Sequence, residues 1–104
     1  MSWIILVVAG LFETVWALAL KESDGFSKPA PTVVFVVALV VSMVLLAIAL
    51  KALPVGTGYA VWVGIGAVGT ATAGILWLDD PAVVGRMIPI GLIAIGVVWL
   101  ALAD

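Results

Sequence analysis

The sequence predicts an all-α integral membrane protein with four transmembrane helices in each subunit. Of the 104 residues, 66% are hydrophobic and 10% are charged, whereas ordinary globular domains contain about 45–50% apolar and about 25% charged residues. The apolar residues form four runs, each near the roughly 20 residues that span a bilayer. Only helices or closed barrels satisfy the backbone in lipid, and these runs lack the alternating polarity of barrel strands.

The four runs divide the chain into one predicted domain, residues 1–104, with short connections. We expect helices over residues 2–20, 32–50, 55–78 and 82–103. The first is read as a retained helix, because the N-terminus lacks the basic region of a signal peptide. A polar loop over residues 21–29 ends it, and Lys51 and Pro54 mark the end of the second helix. Arg86 lies in the first turn of the fourth helix, where it can reach the membrane interface.

The composition excludes several kinds of chemistry. The chain has no cysteine and no histidine, so disulfides and thiolate sites are excluded and neither a metal site nor a cofactor is expected. The net charge of −2 argues against a nucleic-acid partner. With one intramembrane carboxylate and no phosphate-binding loop, the sequence does not provide the paired nucleophile and base of an enzyme.

That carboxylate, Glu13, lies in the middle of the apolar residues 9–17. A charge at the centre of a membrane helix costs roughly 2.5–3.5 kcal/mol even on insertion scales, so Glu13 is expected to have a function or a partner. Helical spacing places it on one stripe with Gly10 and Trp16. A small residue such as Gly10 lets a second helix approach closely.

The tryptophans fall into two groups. Three lie towards segment ends, where aromatic rings anchor helices at the interface: Trp3, Trp77 and Trp99. Trp16 and Trp62 lie nearer the segment middles, so they either face lipid as bulk or line a cavity. We favour the cavity, because each shares a helix face with other unusual residues; Tyr59 and Gly66 share the face of Trp62.

Ser42 is the polar mid-membrane side chain of the second segment. A lone serine in a membrane helix commonly bonds its own backbone carbonyl, but Ser42 lies at a depth comparable to the carboxylate. Gly64 and Gly66 could bend the third helix or simply allow close packing. Gly91 and Gly96 can form a packing ridge on the fourth helix, which we interpret as an assembly element.

Two functional classes remain for the buried carboxylate: a structural role in a helix interface, or transport. One carboxyl group can bind a proton or an organic cation, and competition between them couples their movements if the site opens alternately to each side. Burial favours the protonated form of a carboxyl group. Tyr59 can donate a hydrogen bond, and the rings of Trp16 and Trp62 offer cation–π faces. These groups suit a planar cation such as guanidinium, which binds carboxylates in a bidentate manner.

The chain resembles the small multidrug resistance family along its whole length. Residues 51–62 (KALPVGTGYAVW) and 64–69 (GIGAVG) are similar to the family's third-helix motif, and Gly25 and Phe26 match its first loop. Trp16, three residues after the glutamate, resembles the guanidinium exporter branch, since the broad-specificity quaternary-ammonium branch typically has a small residue there. Ser42 also fits the exporter pattern.

This resemblance implies an antiparallel dual-topology dimer in the bacterial inner membrane, exporting guanidinium and small substituted guanidiniums in exchange for protons by alternating access. Glu13 would bind proton and substrate in turn. Four residues would order that site: Trp16, Ser42, Tyr59 and Trp62. Gly10 would admit a neighbouring helix, and the fourth helix would form the main dimer contact.

Three departures from the family pattern keep alternative functions and assemblies open. Val63 replaces a usual hydroxyl residue and Gly58 a usual alanine, which keeps a broad-specificity quaternary ammonium exporter as an alternative, beside a non-transporting assembly partner. The C-terminus lacks the lysine that commonly follows the fourth helix. Three basic side chains, Lys21, Lys28 and Arg86, therefore lie on one side of the membrane and one, Lys51, on the other. The distribution of Lys and Arg sets the orientation of a chain in the membrane, and an antiparallel homodimer needs both orientations. A heterodimer with a homologous chain is therefore an alternative to the homodimer.

Overall fold

The computed structural model describes residues 1–103 and contains four α-helices. They are α1 (Ser2–Glu22), α2 (Pro29–Ala49), α3 (Val55–Trp77) and α4 (Val84–Ala103). Asp104, the last residue of the predicted domain, lies outside the described residues. All four helices are long and apolar enough to cross a membrane, and residues 1–103 contain no strand. The predicted class, an all-α membrane protein with four helices, is confirmed.

The helix ends follow local backbone chemistry. α2 begins at Pro29, three residues before the predicted start, because the fixed φ of proline suits the first helical position and its missing N–H is not needed there. α1 continues to Glu22, and Ser23 then caps it. The Ser23 N–H donates to the carbonyl oxygen of Ala19 at 2.9 Å, and the Ser23 hydroxyl donates to the carbonyl oxygen of Leu20 at 2.7 Å.

α1 is the central helix of the bundle. It packs along both α2 and α3, whereas α2 and α3 touch each other little and α4 packs on α3. The apolar core lies where the first half of α1 meets the end of α2 and the start of α3. Its buried members are Leu6, Ala9, Leu46, Ala49, Val61 and Trp62. This arrangement places the middle of α1, with Glu13, against the middle of α3.

α4 lies at the edge of the bundle and has no buried residue over its length. Its main tight contact is Val97, which lies against Gly64 of α3. A Cβ added at Gly91 or Gly96 would meet no atom within 4 Å in the described part of the chain. Several large apolar side chains of α4 are exposed: Leu92, Ile95, Val98, Trp99 and Leu102. A single copy therefore leaves most of α4 free for lipid or another subunit.

Candidate functional site

The side chain of Glu13 lines a groove between α1 and α3. The groove has a volume of about 240 Å³. Seven residues line it: Glu13, Trp16, Ala17, Val63, Gly66, Ala67 and Thr70. Apart from the carboxyl group, the indole and one hydroxyl group, its walls are apolar or formed by small residues. The groove thus presents one ionisable group beside a large aromatic ring.

Glycines of α3 allow this close approach to α1. A Cβ added at Gly66 would overlap Oε1 of Glu13, and one added at Gly69 would overlap the Thr14 hydroxyl oxygen. The Thr14 hydroxyl group donates a long hydrogen bond of 3.4 Å to the carbonyl oxygen of Gly66. A side chain at either position would have to displace Glu13 or Thr14 or separate the helices, so this packing depends on both glycines.

Two polar atoms at the groove are buried without a hydrogen-bond partner among the described residues. They are the carboxyl oxygen Oε1 of Glu13 and the indole nitrogen Nε1 of Trp16. Buried polar groups are nearly always paired in folded proteins. An acceptor and a donor left unpaired on residues that share a groove indicate a site that can bind a polar or charged ligand.

Ser42 belongs to a second polar cluster. Its hydroxyl group is fully buried, donates to the carbonyl oxygen of Ala9 at 2.7 Å and accepts from Nε1 of Trp62 at 3.0 Å. Ser42 thus bonds a neighbouring helix. In a regular α-helix the Ala9 carbonyl also accepts the backbone N–H of Glu13. One peptide group therefore connects this cluster to the helical turn that carries the carboxylate.

Tyr59 extends the second cluster outwards. Its ring centroid lies 5.6 Å from that of Trp62, and the side chain is 55% exposed. Tyr59 lines a different, larger depression between α3 and α4. The predicted site residues are therefore divided in one copy of the chain: Glu13, Trp16 and Gly66 lie together, while Ser42, Tyr59 and Trp62 form a neighbouring cluster.

The remaining glycines expected near the site have packing contacts. A Cβ added at Gly10 would lie 2.6 Å from the side chain of Ile65, so Gly10 admits α3. Gly64 lies against α4 and Gly66 against α1, both within the uninterrupted helix α3. A functional bend at these two glycines stays a prediction, as does dimer packing at Gly91 and Gly96.

Sequence reasoning missed Thr70 and did not assign Val63 to the groove. Thr70 lines the groove with Glu13. It lies one turn after Gly66, so extending the third-helix stripe by four residues would have found it. Val63, noted in the sequence only as a departure from the family pattern, lines both the groove with the carboxylate and the depression that contains Tyr59.

Comparison with known proteins identifies the family. Residues 1–93 match the family model of the Small Multidrug Resistance protein. A guanidinium exporter of Yersinia pseudotuberculosis serotype I is 53% identical over 104 residues, the full length of both chains. Guanidinium exporters of Escherichia coli (strain K12) and Salmonella typhimurium are 55% and 52% identical over 103 residues, covering 99% of this chain and 98% of theirs. The chain is therefore a multi-pass membrane protein that belongs to the small multidrug resistance family.

Proposed function

We propose that this protein exports guanidinium and small substituted guanidinium cations from bacteria across the inner membrane, in exchange for protons. The observation that carries the proposal is the carboxyl oxygen Oε1 of Glu13, which is buried without a hydrogen-bond partner in residues 1–103 and belongs to a groove beside Trp16. The relatives that cover the whole chain are named guanidinium exporters, which supports the choice of cation.

The groove chemistry suits a small planar cation. A carboxylate accepts two parallel N–H donors from guanidinium, and an indole ring attracts a cation over its face. In one copy of the chain the groove has a volume of about 240 Å³, and Trp16 forms part of its wall beside Glu13. The indole therefore lies where a cation bound to the carboxylate would contact it.

Exchange with protons follows from the use of one group for both ligands. A protonated Glu13 cannot form the ion pair with the cation, and a cation-bound Glu13 cannot take the proton. If the groove opens to one side of the membrane at a time, each crossing of the cation is linked to return of protons. In this proposal Ser42 and Trp62 fix the position of the α1 turn that carries the carboxylate. Tyr59 packs against the ring of Trp62 and stabilises its orientation.

The proposed working unit is an antiparallel homodimer. Its support is the exposed apolar length of α4, with Gly91 and Gly96 open to a partner helix. A heterodimer with a homologous chain is the alternative, because the basic side chains are distributed three to one. A reporter fused after residue 104 distinguishes them: signal from both compartments supports dual topology, and signal from one compartment supports the biased subunit of a heterodimer.

Transport by purified protein in liposomes tests the function. We expect guanidinium uptake driven by a proton gradient, loss of that uptake in Glu13→Gln, and normal uptake in the control Glu22→Gln, which removes an exposed carboxylate at the end of the same helix. Undiminished uptake by Glu13→Gln contradicts the proposal.

Tetrapropylammonium, measured in parallel, tests the alternatives. The apolar wall residue Val63 favours broad specificity, and comparable rates for both cations would establish that second function. If the assembled wild-type protein moves neither cation, the remaining alternative is the non-transporting assembly role.

A further inference from the structure

Three aromatic rings connect the first loop to the groove. The ring of Phe26, in the loop between α1 and α2, lies 5.6 Å from that of Phe35 on α2. The ring of Phe35 in turn lies 5.9 Å from that of Trp16, with an interplanar angle of 77°. Both separations fall within the range of about 4.5–7 Å for interacting aromatic pairs, and the second pair has the favoured edge-to-face geometry.

The loop holds Phe26 in an unusual backbone conformation. Asp24, Gly25 and Phe26 have φ values of 48°, 70° and 69°, which are uncommon for residues other than glycine. The buried Ser23 stabilises this turn, because its hydroxyl oxygen accepts the N–H of Phe26 at 3.1 Å. Phe26, a residue that is 57% exposed, is therefore placed against Phe35 by the loop backbone.

Within residues 1–103, no hydrogen bond fixes the indole of Trp16. Its Nε1 is buried without an acceptor among the described residues, although the side chain lines the groove beside Glu13. The orientation of a ring without a polar anchor depends on the rings and apolar groups that pack against it. Phe35, which is half-buried on α2, is the aromatic contact that the structure gives to Trp16.

We propose that Phe35 is a positioning residue: it orients Trp16 in the groove, and the Gly25–Phe26 loop acts on cation selection through it. The part concerning cation selection rests on the proposed export of guanidinium. The part concerning ring orientation does not, since it requires only that Phe35 and Trp16 pack as observed. Gly25 and Phe26, in the loop between α1 and α2, thus influence which cation is selected without contacting it.

The first test observes Trp16 directly. The protein is labelled with 5-fluorotryptophan in micelles, and the Trp16 resonance is assigned by its loss in Trp16→Phe. Removing the Phe35 ring shifts this resonance by loss of its ring current alone, so the readout is the number and width of the Trp16 resonances. We expect Phe35→Leu to broaden the Trp16 resonance or divide it into several, as for a ring held in more than one orientation, without affecting those of the exposed Trp77 and Trp99. Phe35→Tyr, which keeps the ring, should give one narrow resonance, as should the control Val36→Leu at an exposed neighbouring position of α2. A single Trp16 resonance of unchanged width in Phe35→Leu overturns the proposal.

The second test measures the ratio of guanidinium to tetrapropylammonium uptake per folded protein. We expect Phe35→Leu to change this ratio roughly 2- to 12-fold, the factor that corresponds to one aromatic pair. Phe26→Leu should change it less and in the same direction, and the double variant should match Phe35→Leu. Equal losses for both cations, with the ratio unchanged, would show a merely structural Phe35 and overturn its role in selection.

The two proposals fail in different ways. If the wild-type protein moves neither cation, the proposed export is wrong, and the fluorine resonance alone then decides whether Phe35 orients Trp16. If the wild-type protein exports guanidinium but Phe35→Leu leaves both the resonance and the uptake ratio unchanged, export stands and the positioning role is overturned.

Discussion

The carboxyl group of Glu13 lies directly on the backbone of Gly66, so that a Cβ at that position would overlap its Oε1 atom. The acidic side chain is therefore held between α1 and α3 by the absence of a side chain on α3. This contact explains how a carboxylate can lie in the middle of an apolar helix and still be enclosed by a neighbouring backbone. The geometry of the site therefore depends on Gly66 as much as on Glu13.

Gly66→Ala is expected to displace the carboxyl group or separate α1 from α3. Overpacking of this kind costs roughly 1–3 kcal/mol, which corresponds to about a 5- to 150-fold loss of guanidinium affinity if the strain falls on the site. Gly56→Ala is the matched control, because a Cβ at Gly56 of the same helix meets no other described atom within 4 Å. Calorimetric titration in micelles measures both, and wild-type affinity in Gly66→Ala would contradict this account.

The bond between Ser42 and Trp62 is expected to stabilise the bundle. Ser42→Ala removes a bond to Ala9 and leaves the buried Nε1 of Trp62 without an acceptor. Losses of this kind cost about 1–3 kcal/mol in soluble proteins and less in membranes, where single bonds average about 0.6 kcal/mol. We expect a destabilisation of about 1–2 kcal/mol in reversible unfolding from mixed micelles.

A double-mutant cycle distinguishes the free energy of this hydrogen bond from nonspecific destabilisation by the substitutions. Ser42→Ala combined with Trp62→Phe should cost less than the sum of the two single changes, because the second change removes the donor that the first left unpaired. Strict additivity of the two free energies would show that the hydrogen bond contributes nothing measurable.

The four helices and the position of Glu13 inside a membrane-spanning helix could be predicted because both depend on local composition. Four apolar runs require helices in lipid, and an isolated glutamate in such a run is conspicuous. α2 begins at Pro29 rather than at residue 32, because proline is favoured at the first helical position even at the end of a polar loop.

The division of the site into two clusters could not be predicted from spacing. Periodicity places Tyr59, Trp62 and Gly66 on one stripe of α3, but the rotation of α3 against α1 decides which of them meets the carboxylate. That rotation is set by the close contacts at Gly66 and Gly69. Helical spacing identifies candidates on a face, whereas the small residues between helices determine their partners.

Thr70 is expected to contribute to the recognition of guanidinium. Its side chain lines the groove with Glu13, and a hydroxyl oxygen can accept an N–H that tetrapropylammonium does not have. We expect Thr70→Val to weaken guanidinium binding by roughly 5- to 12-fold, as for one hydrogen bond of about 1–1.5 kcal/mol, whereas tetrapropylammonium binding should stay the same or strengthen because valine adds apolar contact. Thr72→Val, at an exposed position of α3, serves as control. Equal weakening for both cations would contradict a hydrogen-bonding role.

Val63→Thr is expected to narrow the cation selectivity of this protein. Val63 forms part of the groove wall with Glu13 and Thr70, and threonine has nearly the same shape but adds a hydroxyl group. Its oxygen can accept a guanidinium N–H, whereas a quaternary ammonium cation loses apolar contact with the wall. Because a site that hydrogen-bonds its ligand discriminates against analogues that lack the donor, the ratio of guanidinium to tetrapropylammonium uptake in liposomes should rise. An unchanged or lower ratio in folded Val63→Thr would show that residue 63 does not face the bound cation.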